Sequence, residues 1–283
     1  TVTAEADDPR LNLGAHEIHA LQGAWVPLNL SASVVNPAPG ELSVRIHNLG
    51  GGQVVDEHGQ SVGHADSNGD WLLPMDQSVP IYLKDLPVGD HALTLSAESS
   101  VGGAIISSPS DTVIVHSQSG HDLQGSDQSD WLFGSGGDDR ILAGQGDDVL
   151  RGGQGNDILT GGAGSDLFVW GSGDEGTAAL PAMDTITDFR PEEGDKIDLT
   201  DMLHGVTDNS VDGLLNHLSA SVATGSSGLS DVSLSVSPAG DGQVTQQITL
   251  KDVDLSSWHV ASSSSHDILQ SMLDNQSLII QHP

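Results

Sequence analysis

The sequence has no cysteine, which excludes a disulfide framework, a thiolate metal site and a cysteine nucleophile, and leaves the compartment open. Positive charge is scarce: Lys+Arg number 8 against 40 Asp+Glu, a formal net charge of -32. A surface this negative repels phosphate backbones and anionic lipid, so no nucleic acid or membrane-surface partner is expected. Glutamate is scarce too, 8 residues against 32 Asp, so the acidity is not that of a solvated helix or coiled coil. No apolar run reaches 18 residues, which removes a membrane-spanning helix. The chain opens on Thr1 without a charged-then-apolar leader, so it is expected to be a fragment of something longer with no Sec-type signal.

What is abundant is Asp, a turn former and hard oxygen ligand whose natural counter-charge here is a divalent cation, and Gly, at 35 residues. Residues 1–117 alternate apolar and polar at period two: Val26, Leu28, Leu30, Ala32, Val34; Leu42, Val44, Ile46; Val79, Ile81, Leu83; Leu93, Leu95, Ala97; Val113, Val115. Turns such as NPAPG (36–40), DSNGD (66–70) and LPVGDH (86–91) separate them, which reads as an antiparallel sandwich with Trp25 and Trp71 in its core.

From about residue 118 the period changes to nine. In frame the segments are GSDQSDWLF (125–133), GSGGDDRIL (134–142), AGQGDDVLR (143–151), GGQGNDILT (152–160) and GGAGSDLFV (161–169). Asp130, Asp139, Asp148, Asp157 and Asp166 fall on position six, and Leu132, Ile141, Leu150, Leu159 and Phe168 fall two residues later. Chance would give five such hits at about one in 10⁵ per frame, so the repeat is an architecture. Each unit is a six-residue turn and a three-residue strand with one inward side chain. Two units complete one coil of a parallel roll, and residues 18 apart stack at strand spacing, about 4.8 Å. Asp130, Asp148 and Asp166 then line one edge, and Asp139 and Asp157 the other. Stacked carboxylates repel unless a cation lies between them, and an all-oxygen donor set selects calcium, at about four to five ions. Counting a further 18 from Asp166 reaches Asp184, followed by Thr185 and Ile186, so the roll is expected to continue through one irregular turn with Glu175 at the Asp position. His121 holds the frame position at the other end.

Residues 170–283 mix signals. DTITDF (184–189) and DKIDLTDML (195–203) read as strand or turn edges and 230–258 as strands. Helices are expected at Val211 to Leu218 and at His266 to Asp274, the second capped by Ser265 with Ile268, Leu269, Met272 and Leu273 on one face; SLIIQHP closes the chain as a strand.

The GGxGxD repeats, the segment FVWGSGDEG…DTITDFRPEEGDKIDLTDML (168–203) and the tail QQITLKDVDLSSW…HDILQSMLDNQSLII (246–280) together resemble the RTX proteins exported by type I secretion from Gram-negative bacteria. The tail is similar to the secretion-target region of large biofilm adhesins, and residues 1–117 to their Ig-like extender repeats. The resemblance implies an all-β chain with minor helices: an Ig-like sandwich (1–117), a calcium-bound parallel β-roll (118–200) and a capping and secretion region (201–283). It implies a secreted, cell-surface, non-enzymatic and monomeric passenger whose partners are calcium, the type I secretion machinery and upstream domains of the same adhesin. In the family, position-six Asp and the carbonyls of positions two and four hold calcium. That implies Gly144, Gly153 and Gly162 at position two and Gly137, Gly146, Gly155 and Gly164 at position four, with Ser126, Gln128 and Ser135 departing from the pattern in the first coil. Two rival readings are the export region of a secreted hydrolase and a glycan- or surface-binding Ig-like module. An ice-binding roll is disfavoured because no Thr ladder repeats at a fixed position.

Other motifs carry less. Asp66, Asn68 and Asp70 have calcium-loop spacing, but Trp71 and Gln77 stand where Gly and Glu are needed, so a plain hairpin turn is expected. Asp7 and Asp8 read as a solvated end, with a junctional calcium site as the other option. HEIH (16–19) has its histidines three apart on a strand-like segment, not four apart on a helix, so it is no zinc-protease motif, and the thirteen histidines show no ligand spacing. GSGDEG (171–176) follows no Rossmann strand and places two carboxylates where a pyrophosphate would sit. No GxSxG elbow is present.

Overall fold

The computed structural model describes residues 8–34, 42–75, 80–101, 104–208, 210–260 and 262–281. Asp7, the NPAPG turn and Val79 lie outside them. The chain forms two compact units, Thr1–Ser119 and Gly120–Pro283.

The first unit contains β1 (Arg10–Leu13), β2 (Glu17–Leu21), β3 (Val26–Pro27), β4 (Leu30–Ser33), β5 (Leu42–His47), β6 (Gln53–Asp56), β7 (His64–Ala65), β8 (Trp71–Pro74), β9 (Ile81–Lys84), β10 (Gly89–Val101), β11 (Ala104–Ser107) and β12 (Asp111–Gln118). One sheet runs β2-β12-β10-β5-β8-β7 with β11 beside β10, a second runs β3-β9-β6, and β1 pairs with β4. Period-two residues supply much of the core, Val44, Ile46, Leu93, Leu95 and Val115 from the first sheet and Leu83 from the second, joined by Leu73 and Val54, which the alternation did not include; each is fully buried. The pairing is not wholly antiparallel. β2 and β12 run parallel, with His19 opposite His116, which a chain can do only by crossing over through the rest of the unit. The stretch 26–34 is two strands rather than one, because β3 pairs with β9 while β4 pairs with β1, and Pro27 has no N–H with which to extend a ladder. Trp25 and Trp71 are half-buried, not core: Trp25 packs edge-on to Tyr82 under Lys84 Nζ, and Trp71 Nε1 donates to Val62 O at 2.7 Å. A large ring with a polar edge is satisfied at a sheet margin and would be costly deep inside.

The second unit carries β13 (Asp122–Gln124), β14 (Trp131–Phe133), β15 (Arg140–Gln145), β16 (Val149–Arg151), β17 (Ile158–Ala163), β18 (Leu167–Val169), β19 (Ala182–Ile186), β20 (Lys196–Asp198), α1 (Val211–Leu214), β21 (Leu218–Thr224), β22 (Ser230–Val236), β23 (Gln246–Val253), α2 (Ser265–Asp274) and β24 (Leu278–Ile279). Successive nonapeptides alternate between two parallel sheets. One holds β14, β16, β18, β20 and β24; the other holds β13, β15, β17, β19 and β23, extended antiparallel by β22 and β21. Pairs such as Ile141↔Leu159 and Leu150↔Phe168 show the 18-residue rung, and Leu132, Ile141, Leu150, Leu159 and Phe168 all point inward with no exposed surface.

The count of 18 fails after Phe168. Ile158 pairs with Thr185, 27 residues on, and Leu167 with Lys196, 29 residues on. The intervening segment with GSGDEG and TAALPAM adds one irregular excursion, so β19 joins the Asp157 sheet and Asp184 stacks on Asp157, not on Asp166. Asp195 takes the place above Asp166. Residues 201–283 then continue both sheets: β23 pairs parallel to β19 and β24 parallel to β20. α1 is one turn, shorter than the expected 211–218, because Gly213 disfavours helix and the chain turns into β21. α2 buries Ile268, Leu269 and Met272, while Leu273 is half-buried; its cap is Ser264, one residue before the expected Ser265, accepting from Asp267 N–H.

Candidate metal centre

The glycine turns bring the position-six carboxylates into two buried columns. Each Oδ1 accepts the backbone N–H of the Asp one rung earlier: Asp148 from Asp130 at 2.7 Å, Asp157 from Asp139 at 2.8 Å, Asp166 from Asp148 at 3.0 Å, Asp184 from Asp157 at 2.8 Å and Asp195 from Asp166 at 3.0 Å. This ladder fixes one oxygen of each of these five carboxylates. The second oxygens decide the chemistry. Oδ2 of Asp148, Asp157 and Asp166 is buried without a hydrogen-bond partner, on side chains whose residues are 1% exposed. An anionic oxygen shut from water with no donor is costly by several kcal/mol, so each awaits a cation.

The column ends differ. Asp130 Oδ2 accepts from Ser126 N–H at 2.6 Å and Oγ at 2.8 Å, and Asp139 Oδ2 accepts from Ser135 N–H at 2.7 Å while its Oδ1 lies 2.6 Å from His121 Nδ1. The serines that depart from the repeat thus close the first rungs with hydrogen bonds. At the far end Asp184 Oδ2 accepts from Trp170 Nε1 at 2.7 Å and Gln246 Nε2 at 2.8 Å, and Asp195 Oδ2 from Arg190 N–H at 2.7 Å. Asp184 therefore terminates the Asp157 column with both oxygens supplied by protein donors, which corrects its reading as the next open rung above Asp166.

Gly137, Gly144, Gly146, Gly153, Gly155, Gly162 and Gly164 all have positive φ. At Gly162 (φ +104°) a Cβ would lie 1.9 Å from Gly144 O, and at Gly155 (φ +141°) 2.1 Å from Gly137 O. Only glycine lets backbones stack this closely, turn upon turn. Hard oxygen donors such as the open carboxylates fit calcium.

Several site residues escaped the sequence reading. Asp195 and Lys196–Ile197 repeat the Asp-x-apolar order of Asp184–Ile186, a signal that was present. Asp174, not Glu175, is the buried acid of the irregular turn, held by Arg151 Nε and Nη2 at 2.8 Å each and by Gly171 N–H at 2.8 Å; Glu175 is half-buried and accepts from Gly173 N–H. Asp188 accepts from Gly161 and Gly162 N–H. The DSNGD turn is a hairpin: Asp66 Oδ1 accepts from Asn68 and Asp70 N–H, and its Oδ2 accepts from Arg45.

Burial, reinforced by neighbouring carboxylates, pushes the metal-free acids up: Asp148 and Asp166 to about 6, Asp195 to about 7 and Asp157 to about 8. The metal-free folded roll thus holds protons more tightly than the unfolded chain, whose carboxyls titrate near 3.8. The stability these four acids contribute is fullest below about pH 4 and is lost as the pH rises through 6 to 8. Calcium needs the ionised form and reverses the slope. In chelator the thermal midpoint is expected to rise on going from pH 8 to pH 5; in millimolar calcium it is expected to fall. Calorimetric scans in the two buffers check this, and parallel slopes would contradict it.

A parallel roll with buried, donor-poor carboxylates between glycine turns is a calcium-binding repeat. The family model of the RTX calcium-binding nonapeptide repeat (4 copies) matches residues 122–150 and 142–174, so this segment consists of RTX repeats, which bind calcium. Among solved structures, the AlgE6R2 subunit of the Azotobacter vinelandii mannuronan C5-epimerase is similar at 22% identity over 57% of this chain and 94% of that one, with a TM-score of 0.33. The AlgE6R3 subunit of the same enzyme is similar at 27% identity over 47% of this chain and 72% of that one, with a TM-score of 0.21. No curated protein matches the chain. Among the described residues no helix is long and apolar enough to cross a membrane.

Proposed function

We propose that this chain is the C-terminal part of a large secreted adhesin, exported unfolded by type I secretion machinery and folded outside the cell by calcium. The observation that carries the folding step is the set of three buried, partnerless oxygens on Asp148, Asp157 and Asp166. Together with the carbonyls of Gly137, Gly144, Gly146, Gly153, Gly155, Gly162 and Gly164 they hold the ions, while Asp130, Asp139 and Asp184 finish the columns. In the low calcium of a cell the columns repel and the chain stays open for a narrow channel; extracellular calcium closes it. In this reading the first unit is an Ig-like extender between upstream domains and the roll, the roll is a folding switch, and residues 201–283 combine a cap with the export signal. β23 and β24 pair with the last rungs, which supports that cap role, and Gln246 closes the Asp157 column from the same segment.

Co-expression with a type I exporter tests the export step. A chain truncated after Leu203 is expected to remain in the cells, and residues 204–283 fused to an unfolded passenger are expected to carry it into the medium. Export of the truncated chain at the full-length level would remove the export assignment and leave the calcium roll standing.

A further inference from the structure

The strand register of the first unit assembles a second cluster with a different chemistry. Asp90 on β10, His116 on β12 and His19 on β2 are direct neighbours across three adjacent strands, and Glu17 stands two residues before His19 on the same face. Their side chains lie opposite the buried Ile18 and Val115, on the outer face of the sheet. His116 Nδ1 lies 2.8 Å from Asp90 Oδ1 and its Nε2 lies 3.0 Å from Glu17 Oε1. With a carboxylate at each nitrogen the ring either takes a second proton and donates to both, or stays neutral and shares a cation with one of them. His19 brings a second ring to the same oxygen: its Nε2 is 3.9 Å from Glu17 Oε1, and the two rings stack with centroids 4.9 Å apart at 22°.

We propose that Glu17, His19 and His116 bind one divalent transition-metal ion, with Asp90 as the carboxylate that orients His116. One ligand atom from each of the three side chains lies within 4.8 Å of the others. Ligand atoms around a tetrahedral zinc sit about 3.4 Å apart, so side-chain rotation of about 1 Å closes the site. Two imidazoles and one carboxylate suit zinc and its neighbours rather than calcium, which takes oxygen alone. Asp90 on Nδ1 fixes the tautomer that presents the Nε2 lone pair to the metal, the usual role of an outer carboxylate on a ligating histidine. Three protein ligands leave a fourth position for water or an added group. The ligands sit on paired strands rather than on a loop, which holds their spacing. The first two are the Glu and second His of the HEIH segment; its failure as a helical zinc motif hid a strand-based site whose third ligand is 97 residues away.

The test uses the full chain in excess calcium, which saturates the hard-oxygen sites. Calorimetric titration with zinc is expected to show one equivalent bound at micromolar or tighter dissociation constant. Cobalt is expected to give the intense visible bands of a four-coordinate site at the same stoichiometry. His19→Asn and His116→Asn are each expected to weaken zinc at least tenfold, and Asp90→Asn about tenfold. Glu17→Gln repeats the test at an exposed side chain, and His58→Asn, at an exposed histidine elsewhere, is expected to change nothing. Calcium-induced circular dichroism equal to wild type shows that each variant folds. No zinc binding by the wild type, or one equivalent retained by both the His19→Asn/His116→Asn double variant and Glu17→Gln, would overturn the proposal; in the former case His116 is simply protonated between its two carboxylates.

Discussion

Withdrawing calcium at neutral pH is expected to collapse the parallel roll. Far-UV circular dichroism should lose the strand signal of the second unit in chelator and regain it on titration with calcium near 10⁻⁴ M, a typical affinity for extracellular calcium modules. At that affinity, millimolar calcium contributes about 1.4 kcal/mol per site, and four sites contribute about 6 kcal/mol. The whole stability of a domain is about 5–15 kcal/mol, so the ion term decides whether the roll exists. The chain's net charge of -32 and the buried columns of Asp work against the metal-free fold. Magnesium should not substitute, because it keeps its waters and demands a tight octahedron that stacked glycine turns do not offer. Identical spectra and thermal midpoints in chelator and in calcium at pH 7.5 would remove the switch.

The second large effect is expected at Asp157, whose Oδ1 holds Asp139 N–H and whose Oδ2 is open. Asp157→Ala removes both, leaving a buried donor unsatisfied at a cost of about 1–3 kcal/mol and removing a calcium ligand worth about 1.4 kcal/mol per site. In calcium the midpoint of denaturant unfolding should fall accordingly, with fewer ions bound. Asp157→Asn separates the two roles, since its carbonyl still accepts from Asp139 while the charge is gone. It should be less stable than wild type in calcium and more stable in chelator at pH 7.5, where folding of the wild type must either bury the Asp157 charge or take up a proton. Chemical denaturation in both buffers and ion counting by calorimetry read the crossover. Unchanged calcium stoichiometry in Asp157→Ala would sink the ligand assignment.

The roll was readable because its period is short and its roles are local. A turn of fixed length returns the same frame position to the same edge every second repeat, so Asp148 over Asp130 and Leu150 over Leu132 follow from spacing alone. The count broke at the excursion after Phe168, where nothing local states how long a loop is before the next strand docks. Spacing therefore puts Asp184 on the Asp166 column and passes over Asp195, although both open an Asp-x-Ile segment. Neither could spacing show that Gln246 and Trp170 converge on Asp184, since Gln246 arrives 62 residues later by way of β23. The same limit hid Glu17, His19 and His116, which the parallel β2–β12 pairing brings together. For Trp25 and Trp71 size argues for burial, while each indole's polar edge and its place at a sheet margin argue against it.

By itself the chain's order of residues determined the nine-residue unit, the inward Leu, Ile and Phe, the glycine turns and the oxygen chemistry of calcium, because each depends on neighbours within 18 positions. Tertiary structure alone decided which carboxylates stay open and which are capped, on which edge the roll ends, and which histidines face a shared carboxylate. Those outcomes depend on partners brought from far along the chain, and a hydrogen bond from Ser126, Trp170 or Gln246 is what separates a finished carboxylate from one that still needs an ion.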